Sequence, residues 1–240
     1  SGFAFVDDTD IIASAGHQND PDSTIQKMQT TIDCWEGVAK TTGGALDPKK
    51  SWWYVLFFKW DNGKWRYGKM SDLILEDKLS IRDKDNVRVD LEYLEANQAM
   101  EMLGVYLAPD GNNEAQITKM KTKTKKMGEA IRTSSVTKRE AWLSLNTMAM
   151  KSIEYPLPAL TLTEQECTSI MWPLLKNFLP KAGINRNIKR DVLYGPTAMQ
   201  GLQLRNLYVW QGVSHVIDII EHKWKNTITG SFITTELEQQ

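Results

Sequence analysis

The chain alternates between short apolar runs and longer segments whose apolar residues recur at helical spacing. Apolar residues at 3–6 and 11–13 predict two short strands. Only acidic and polar residues separate them, which favours a tight hairpin with carboxylates at its tip. Apolar side chains then recur every three or four residues over 24–41, which predicts an amphipathic helix that Gly43-Gly44 ends.

The pattern becomes strand-like between Lys50 and Tyr67, a run that is rich in aromatic and β-branched residues. Asn62-Gly63 divides this run, and Asn-Gly between two such segments is a strong hairpin signal, since both residues tolerate a positive φ. Trp60 and Trp65 are then placed to pair across the hairpin. Further short strands are predicted near 73–75, 87–93 and 102–107.

From Glu114 onward the spacing is helical almost throughout, which predicts helices near 114–133, 138–153, 163–178 and 206–226. The expected fold class is α+β. An antiparallel sheet is expected in 1–112, a helical region in 113–226 and a flexible polar tail in 227–240. Residues 55–100 resemble an insertion, and the sequence assigns them no function.

Composition narrows the class of protein without naming a partner. The chain is 41% hydrophobic and 25% charged with a net charge of −1, so its total charge points to no partner. Cys34 and Cys167 have no CxxC neighbour, which argues against a disulfide framework or zinc site and favours a reducing, intracellular compartment, nuclear or cytoplasmic. No apolar run approaches the roughly 20 residues of a membrane span. Because the chain starts within a strand pattern and without Met, we expect it to be a fragment.

The acids of the first hairpin are Asp7, Asp8 and Asp10. Adjacent carboxylates repel each other unless a cation neutralises them, and oxygen ligands suit magnesium. The alternative is an ordinary solvated turn, in which Asp is common. The apolar strands directly on both sides of the acids weaken this alternative and leave both interpretations open.

Phe5-Val6-Asp7-Asp8 between apolar strands resembles the [FY]xDD hairpin of reverse transcriptases, especially those of non-LTR retrotransposons. The resemblance rests on an ordered set of motifs that spans residues 3–204. After the hairpin and its helix come Leu46-Asp47-Pro48-Lys49-Lys50 (Asp47 where the family has Asn), Met102-Leu103-Gly104-Val105-Tyr106-Leu107, Tyr155-Pro156-Leu157-Pro158, Arg190–Pro196 and Gly201-Leu202-Gln203-Leu204. The family often has Gly-Gly where Gln200-Gly201 stands.

The resemblance implies a partial polymerase palm followed by a helical, thumb-like region, and the activity of an RNA-directed DNA polymerase that uses two Mg²⁺ ions. Asp7 would bind metal, and Asp8 would support the metal or the primer end. Lys49 or Lys50 would lie near the incoming nucleotide, whereas Asp10 would be a turn residue. The partners would be an RNA template, a DNA primer and nucleotides.

The family's other metal-binding aspartate and its fingers precede this hairpin. They are therefore expected in a missing N-terminal part of the same polyprotein. Since a two-metal site needs carboxylates from both strands, the isolated chain is expected to be inactive.

Residues 119–139 form a basic segment with eight bases against Glu129 alone: Lys119, Lys121, Lys123, Lys125, Lys126, Arg132, Lys138 and Arg139. Like charges four residues apart destabilise an isolated helix, which favours an acidic partner over a merely solvated helix. Lys119, Lys123 and Lys126 share one helical face, whereas Lys121, Lys125 and Arg132 share another. A thumb helix that follows a phosphate backbone would use such cations. A second basic region contains Lys176, Lys181, Arg186, Lys189, Arg190 and Arg205.

Two other functions stay open at this stage. The chain could be a non-catalytic, nucleic-acid-binding remnant of a retroelement, or an unrelated α+β protein whose acids decorate a turn. The tryptophans around Asn62-Gly63 could form a base-stacking platform, but cross-strand and core packing is the expected role.

Overall fold

The computed structural model describes residues 2–5, 8–14, 21–73 and 78–239, and the fold is mixed α+β, as predicted. The chain divides into two compact units. One comprises residues 1–99 and 108–111, and the other residues 100–107 and 112–240. Within the described residues, none of the helices combines the length and hydropathy needed to cross a bilayer.

The first unit contains one long helix and several short strands. Its elements are β1 (Gly2–Phe5), β2 (Asp8–Ile11), α1 (Pro21–Thr41), a 3₁₀ turn (Pro48–Lys50), β3 (Trp52–Trp53), β4 (Phe58–Asp61), β5 (Lys64–Tyr67), a 3₁₀ turn (Met70–Asp72), β6 (Ser80–Arg82), β7 (Arg88–Asp90) and β8 (Glu92–Tyr93). Strands β1–β2, β4–β5 and β6–β7 pair antiparallel, whereas β3 and β8 pair parallel.

Helix α1 packs its apolar stripe against β6, as its predicted amphipathic spacing requires. The core there consists of Ile25, Ile32, Trp53, Leu79, Ile81 and Leu91. Polar side chains of α1 also satisfy the backbone of β6: Gln29 both donates to the carbonyl and accepts from the N–H of Ser80, each at 2.9 Å. The helix ends at the predicted glycines, where the N–H of Gly44 donates to the carbonyl of Ala39 at 2.9 Å and Gly43 has φ +80°.

The second unit begins with a hairpin and continues as helices. Its elements are β9 (Met100–Met102), β10 (Val105–Leu107), α2 (Glu114–Thr133), α3 (Lys138–Ser144), a π-helical turn (Leu145–Ala149), α4 (Met150–Glu154), a 3₁₀ turn (Leu157–Ala159), α5 (Glu164–Lys181), α6 (Arg190–Tyr194), a 3₁₀ turn (Thr197–Met199), α7 (Leu207–Lys223) and α8 (Ile228–Gln239). Its core centres on α5, whose Ile170, Leu174 and Leu179 are fully buried.

Helices α2 and α5 lie side by side and run in the same direction. Gly128 of α2 faces Pro173 of α5, and one end of the pair is closed by the Lys181 ammonium, which donates to the carbonyl of Ser134. A Cβ on Gly128 would lie 2.6 Å from the Pro173 carbonyl oxygen, so the absence of a side chain permits the close approach.

Two predicted elements differ in the structure, and a third lies mostly outside the described residues. The strand expected at 102–107 is a hairpin whose turn is Leu103-Gly104, with φ values of +49° and +84°. Where a flexible tail is predicted over 227–240, helix α8 occupies Ile228–Gln239, and the Thr227 hydroxyl caps it by accepting from the N–H of Gly230 at 3.1 Å. The strand expected near 73–75 falls mostly outside the described residues, and Met70–Asp72 before it is a 3₁₀ turn.

Candidate nucleic-acid interface

The apolar runs on either side of the acids predict an antiparallel hairpin, and β1 and β2 form one. Phe5 pairs with Asp8 and Phe3 with Asp10, so residues 6 and 7 alone connect the strands. The predicted metal ligand Asp7 lies outside the described residues, as does the side chain of Asp8. The prediction that Asp10 is a turn residue is wrong, because Asp10 lies within β2, where its exposed side chain stays in water.

Lys49 and Lys50 lie in the 3₁₀ turn that precedes β3, and both side chains are exposed. Asp47 stabilises this turn, because its carboxylate accepts from the N–H of Lys49 at 3.0 Å and its carbonyl accepts from the Ser51 hydroxyl at 2.8 Å. An Asp where the family has Asn therefore serves as a cap here. The turn presents both ammonium groups to solvent, and the choice between them as the nucleotide lysine stays open.

A magnesium site needs several oxygen ligands close together. Among the described residues no group of three or more His, Cys, Asp or Glu side chains could hold a metal ion. Asp10 is the one acid of the hairpin whose side chain is described. The two-ion site therefore stays a prediction.

The Leu103-Gly104 turn brings two segments of the predicted motif set together. The Tyr155 hydroxyl donates to the carbonyl of Leu103 at 2.8 Å, and the Lys119 ammonium donates to the carbonyl of Gly104 at 2.8 Å. Tyr155 opens the Tyr-Pro-Leu-Pro segment, 52 residues further along the chain. The turn is therefore held from two helical regions of the same unit.

Helix α2 buries one stripe and exposes cations on the rest of its surface. The buried residues are Gln116, Ile117, Met120, Thr124, Gly128 and Ile131. Lys121, Lys123, Lys125, Lys126 and Arg132 are exposed, and Lys119 is half-buried. The predicted boundaries and the amphipathic character of this helix are confirmed.

Two of the predicted phosphate-binding lysines are used inside the protein. The Lys119 ammonium lies 2.6 Å from a carboxylate oxygen of Glu101 and 4.9 Å from the centre of the Tyr106 ring. Its hydrogen bond lowers the pKa of the Glu101 carboxyl. Lys123 donates to the carbonyl of Ser152 at 3.1 Å. Because Lys119 and Lys123 make these contacts, the face formed by Lys119, Lys123 and Lys126 has fewer ammonium groups available to a phosphate backbone.

The other face keeps its charges in solvent. Lys121, Lys125 and Arg132 are exposed. Lys121 lies near Glu166, whose pKa is lowered mainly by the N–H and hydroxyl of Thr163 and in small part by this lysine. Lys121 and Lys125 lie about one helical turn apart, a spacing suited to successive phosphates of a nucleic-acid backbone.

Lys138 and Arg139 occupy the first turn of α3, where a positive charge opposes the helix dipole. The helix start is stabilised instead by a capping box, in which Thr137 accepts from the N–H of Glu140 at 3.3 Å and the Glu140 carboxylate accepts from the N–H of Thr137 at 2.7 Å.

The second basic region also contains both cations that have partners inside the protein and cations that are exposed. Arg205 lies 2.5 Å from the buried carboxylate of Glu154 and stacks on Trp210 at 4.7 Å, and Lys181 closes the α2–α5 pair. Lys176, Arg186 and Lys189 are exposed. The buried cations therefore serve the fold, and the exposed ones stay available to a partner.

The motif around Gly195 forms a closed loop. The backbone of Gln203 donates to the carbonyl of Gly195 at 2.9 Å, and the backbone of Gly201 donates to the carbonyl of Pro196 at 3.0 Å. A Cβ on Gly201 would lie 2.1 Å from the Gly195 oxygen. This backbone contact leaves no room for a side chain at position 201, whereas a Cβ on Gly195 would lie 2.5 Å from the carbonyl oxygen of Asp191.

Trp60 and Trp65 pair across the Asn62-Gly63 turn as predicted, with ring centres 4.9 Å apart. The expected core burial of these two rings is wrong, because each is about two-thirds exposed. Trp52 and Trp53 do not belong to the hairpin but form β3, where Trp53 is buried.

Some residues that organise the interface carry no sequence signal of their own. Gln116 accepts from the N–H of Tyr106 at 2.8 Å, and Gln211 exchanges two hydrogen bonds with the backbone of Leu162. Both glutamines are buried, and burial of a single Gln cannot be read from spacing. The gathering of the β4–β5 aromatic residues on one face could have been found, because aromatic and charged residues alternate along both strands.

Searches of protein-family models, curated proteins and solved structures found no match for this chain.

Proposed function

We propose that the chain is the C-terminal palm and thumb part of a reverse transcriptase of the non-LTR retrotransposon type. The complete enzyme would add nucleotides to a primer 3′-hydroxyl on an RNA template. The observation that carries this proposal is the first hairpin, in which β1 and β2 pair antiparallel and Phe5 lies opposite Asp8. An antiparallel hairpin around two adjacent aspartates in the sequence is what the resemblance implies.

The order of the later elements supports the same proposal. The hairpin is followed by α1, by the turn that exposes Lys49 and Lys50, by the Leu103-Gly104 turn and by the basic helix α2. The hydrogen bond between Tyr155 and Leu103 joins two segments of the motif set that are distant in sequence.

Each group of residues would have its own role. Asp7 and Asp8 would hold Mg²⁺, which would make the primer hydroxyl a better nucleophile. Lys49 or Lys50 would offset the charge of the departing pyrophosphate. The exposed cations of α2 and α3 would hold the phosphate backbone of the duplex.

Binding of an RNA–DNA duplex at two salt concentrations, with and without Mg²⁺, tests the proposal. We expect Mg²⁺ to tighten binding of the wild-type chain and of Asp10→Asn, which keeps the Asp7-Asp8 pair. We expect no such effect in Asp7→Asn. Equal binding by all three proteins with and without Mg²⁺ would contradict the metal site.

Primer extension adds a second readout. The 240-residue chain with Mg²⁺, primer–template and nucleotides should give no product, since two-metal catalysis needs carboxylates from a further strand. Robust extension by this chain would refute that arrangement.

A non-catalytic nucleic-acid-binding protein is the second candidate. The exposed side of α2 favours it, because Lys121, Lys125 and Arg132 need no metal to bind phosphates. Salt-dependent duplex binding that is insensitive to Mg²⁺ and to Asp7→Asn would select this candidate.

A further inference from the structure

The β4–β5 ribbon has one aromatic face and one charged face. Phe58 pairs with Tyr67 and Trp60 with Trp65, and the ring centres of each pair are 4.9 Å apart. The Trp pair meets edge to face at 75°, so an indole face stays open beside the contact. The other face carries Lys59, Asp61, Lys64 and Arg66. Side chains of paired strands alternate between faces, which explains this separation.

The aromatic face lies in solvent. Phe58 is 59% exposed, Trp60 60% and Trp65 67%. Cross-strand packing alone uses one side of each ring and leaves a contiguous apolar surface. Exposed apolar patches of this kind in a folded protein usually mark a binding surface.

The ribbon is held rigidly enough to present these rings. Arg66 forms two hydrogen bonds with the Asp72 carboxylate, at 2.6 and 3.1 Å, and these keep the pKa of Asp72 well below its usual range. Beyond the paired strands, the N–H of Gly68 donates to the carbonyl of Phe57 at 2.8 Å. The Phe57 ring packs so closely on Gly68 that a Cβ there would lie 2.0 Å from it. A preorganised surface loses little entropy on binding.

The charge around the ribbon identifies the kind of ligand. Residues 49–69 contain six bases against Asp61 alone, in a chain whose net charge is −1. Lys59 and Arg66 are partly neutralised by Asp72, whereas Lys49, Lys50, Lys64 and Lys69 are exposed. Flat rings on one face of a basic ribbon match a ligand that has flat rings and anions. A neutral carbohydrate would use the rings but not the charge.

We infer that the aromatic face of the β4–β5 ribbon binds single-stranded nucleic acid, with bases stacked on Trp60 and Trp65 and the phosphates attracted by the lysines of the same basic segment. Every base has a π-face, so binding of this kind tolerates many sequences. The inference does not depend on the proposed polymerase function, because it uses neither the acidic hairpin nor helix α2.

Fluorescence anisotropy with a labelled oligothymidine and the whole chain tests this inference. We expect Trp65→Leu and Trp60→Leu each to weaken binding about five- to 150-fold, the range that corresponds to loss of one stacked base. Trp224→Leu is the matched control, since Trp224 is 83% exposed in the other unit, and its binding should equal that of the wild type. Trp65→Tyr keeps an aromatic ring and should restore most of the affinity, which separates stacking from misfolding of the ribbon.

An abasic oligonucleotide of the same length distinguishes base stacking from binding of the phosphates alone. We expect it to bind at least fivefold more weakly than oligothymidine, because it has the phosphates without the bases. Equal binding of the two would overturn the inference and leave a purely electrostatic surface. Loss of self-association in Trp65→Leu, with no change in oligothymidine binding, would also overturn it and assign the face to a second copy of the chain.

The same preparations separate this inference from the proposed function. Lys121→Gln with Lys125→Gln should weaken duplex binding and leave oligothymidine binding unchanged, whereas the Trp65 variant should do the reverse.

Discussion

The Lys119 ammonium lies 2.6 Å from the Glu101 carboxylate and fastens the β9–β10 hairpin to helix α2. Its second hydrogen bond, to the carbonyl of Gly104, fixes the turn of that hairpin. A lysine held by two partners adds little to a phosphate-binding surface. The cations of α2 therefore have two roles, which substitution can separate.

Lys119→Met should lower the free energy of unfolding only slightly, because the pair is partly exposed and screened by solvent. The salt dependence of duplex binding should stay as in the wild type. Lys121→Gln with Lys125→Gln should instead keep the stability and reduce the slope of log K against log salt by about 0.9 for each lost phosphate contact. Urea unfolding and binding at several salt concentrations measure both, and a reduced slope in Lys119→Met would contradict the assigned role.

Gly128→Ala should destabilise the second unit by about 1 to 3 kcal/mol, since its Cβ would lie 2.6 Å from the Pro173 carbonyl oxygen and force α2 and α5 apart. Gly212→Ala is the control. It lies within α7 with nothing inside 4 Å of the added Cβ, and it should stabilise the chain by about 0.5 to 1 kcal/mol. Thermal unfolding of both variants checks the contrast. Two changes of the same sign and size would argue against the close approach of the helices.

Two substitutions in the loop at Gly195 are expected to change the stability in opposite directions. Gln200 has φ +62°, a left-handed conformation that costs a non-glycine residue roughly 1 to 2 kcal/mol. Gln200→Gly removes this cost but increases the conformational entropy of the unfolded chain. The free energy of unfolding should therefore rise by between zero and about 1 kcal/mol. Gly201→Ala should lose about 1 to 3 kcal/mol through its clash with Gly195. Denaturant midpoints of the two variants should therefore move apart.

The acid sensitivity of α5 should depend on its capping box. Hydrogen bonds from Thr163 lower the pKa of Glu166 below its ordinary value of 4.5. The stability from this group is therefore complete above the pKa of the unfolded chain and is lost as the pH falls through the lower folded pKa. Glu166→Gln should flatten the fall in stability between about pH 5 and pH 3.

Glu164→Gln is the control for this change, since it removes a charge from the same helical turn without the cap. Unfolding curves across this pH range check the pair. An equal flattening in both variants would show a general charge effect instead of the cap.

Strong local signals allowed much of the fold to be predicted. Asn62-Gly63 forces a turn wherever it occurs, and the spacing of α2 fixes which side is buried, so both elements lie where the sequence predicts them. Helix α5 extends beyond its predicted end to Lys181 and contains Pro173 and Pro180, because burial of its apolar face outweighs the missing N–H donors.

Elements that depend on distant partners were less predictable. A leucine at φ +49° gives no turn signal, and the Leu103-Gly104 turn is stabilised by hydrogen bonds from Lys119 and Tyr155. The roles of the α2 lysines likewise depend on which of them meet an acceptor, and spacing alone treats them as equal. Exposure of Trp60 and Trp65 could not be foreseen, since a paired ribbon has the same pattern whether or not another layer covers it.

The back-to-back glycines of the Gly195–Gly201 loop bear on how the resemblance should be weighed. Their contact and the burial of Leu193 and Leu204 account for the whole segment through packing alone. The same packing would be needed by any protein that has this loop, whether or not it polymerises nucleotides. The loop therefore fits the proposed polymerase and the non-catalytic candidate equally well, and the acids of the first hairpin distinguish the two.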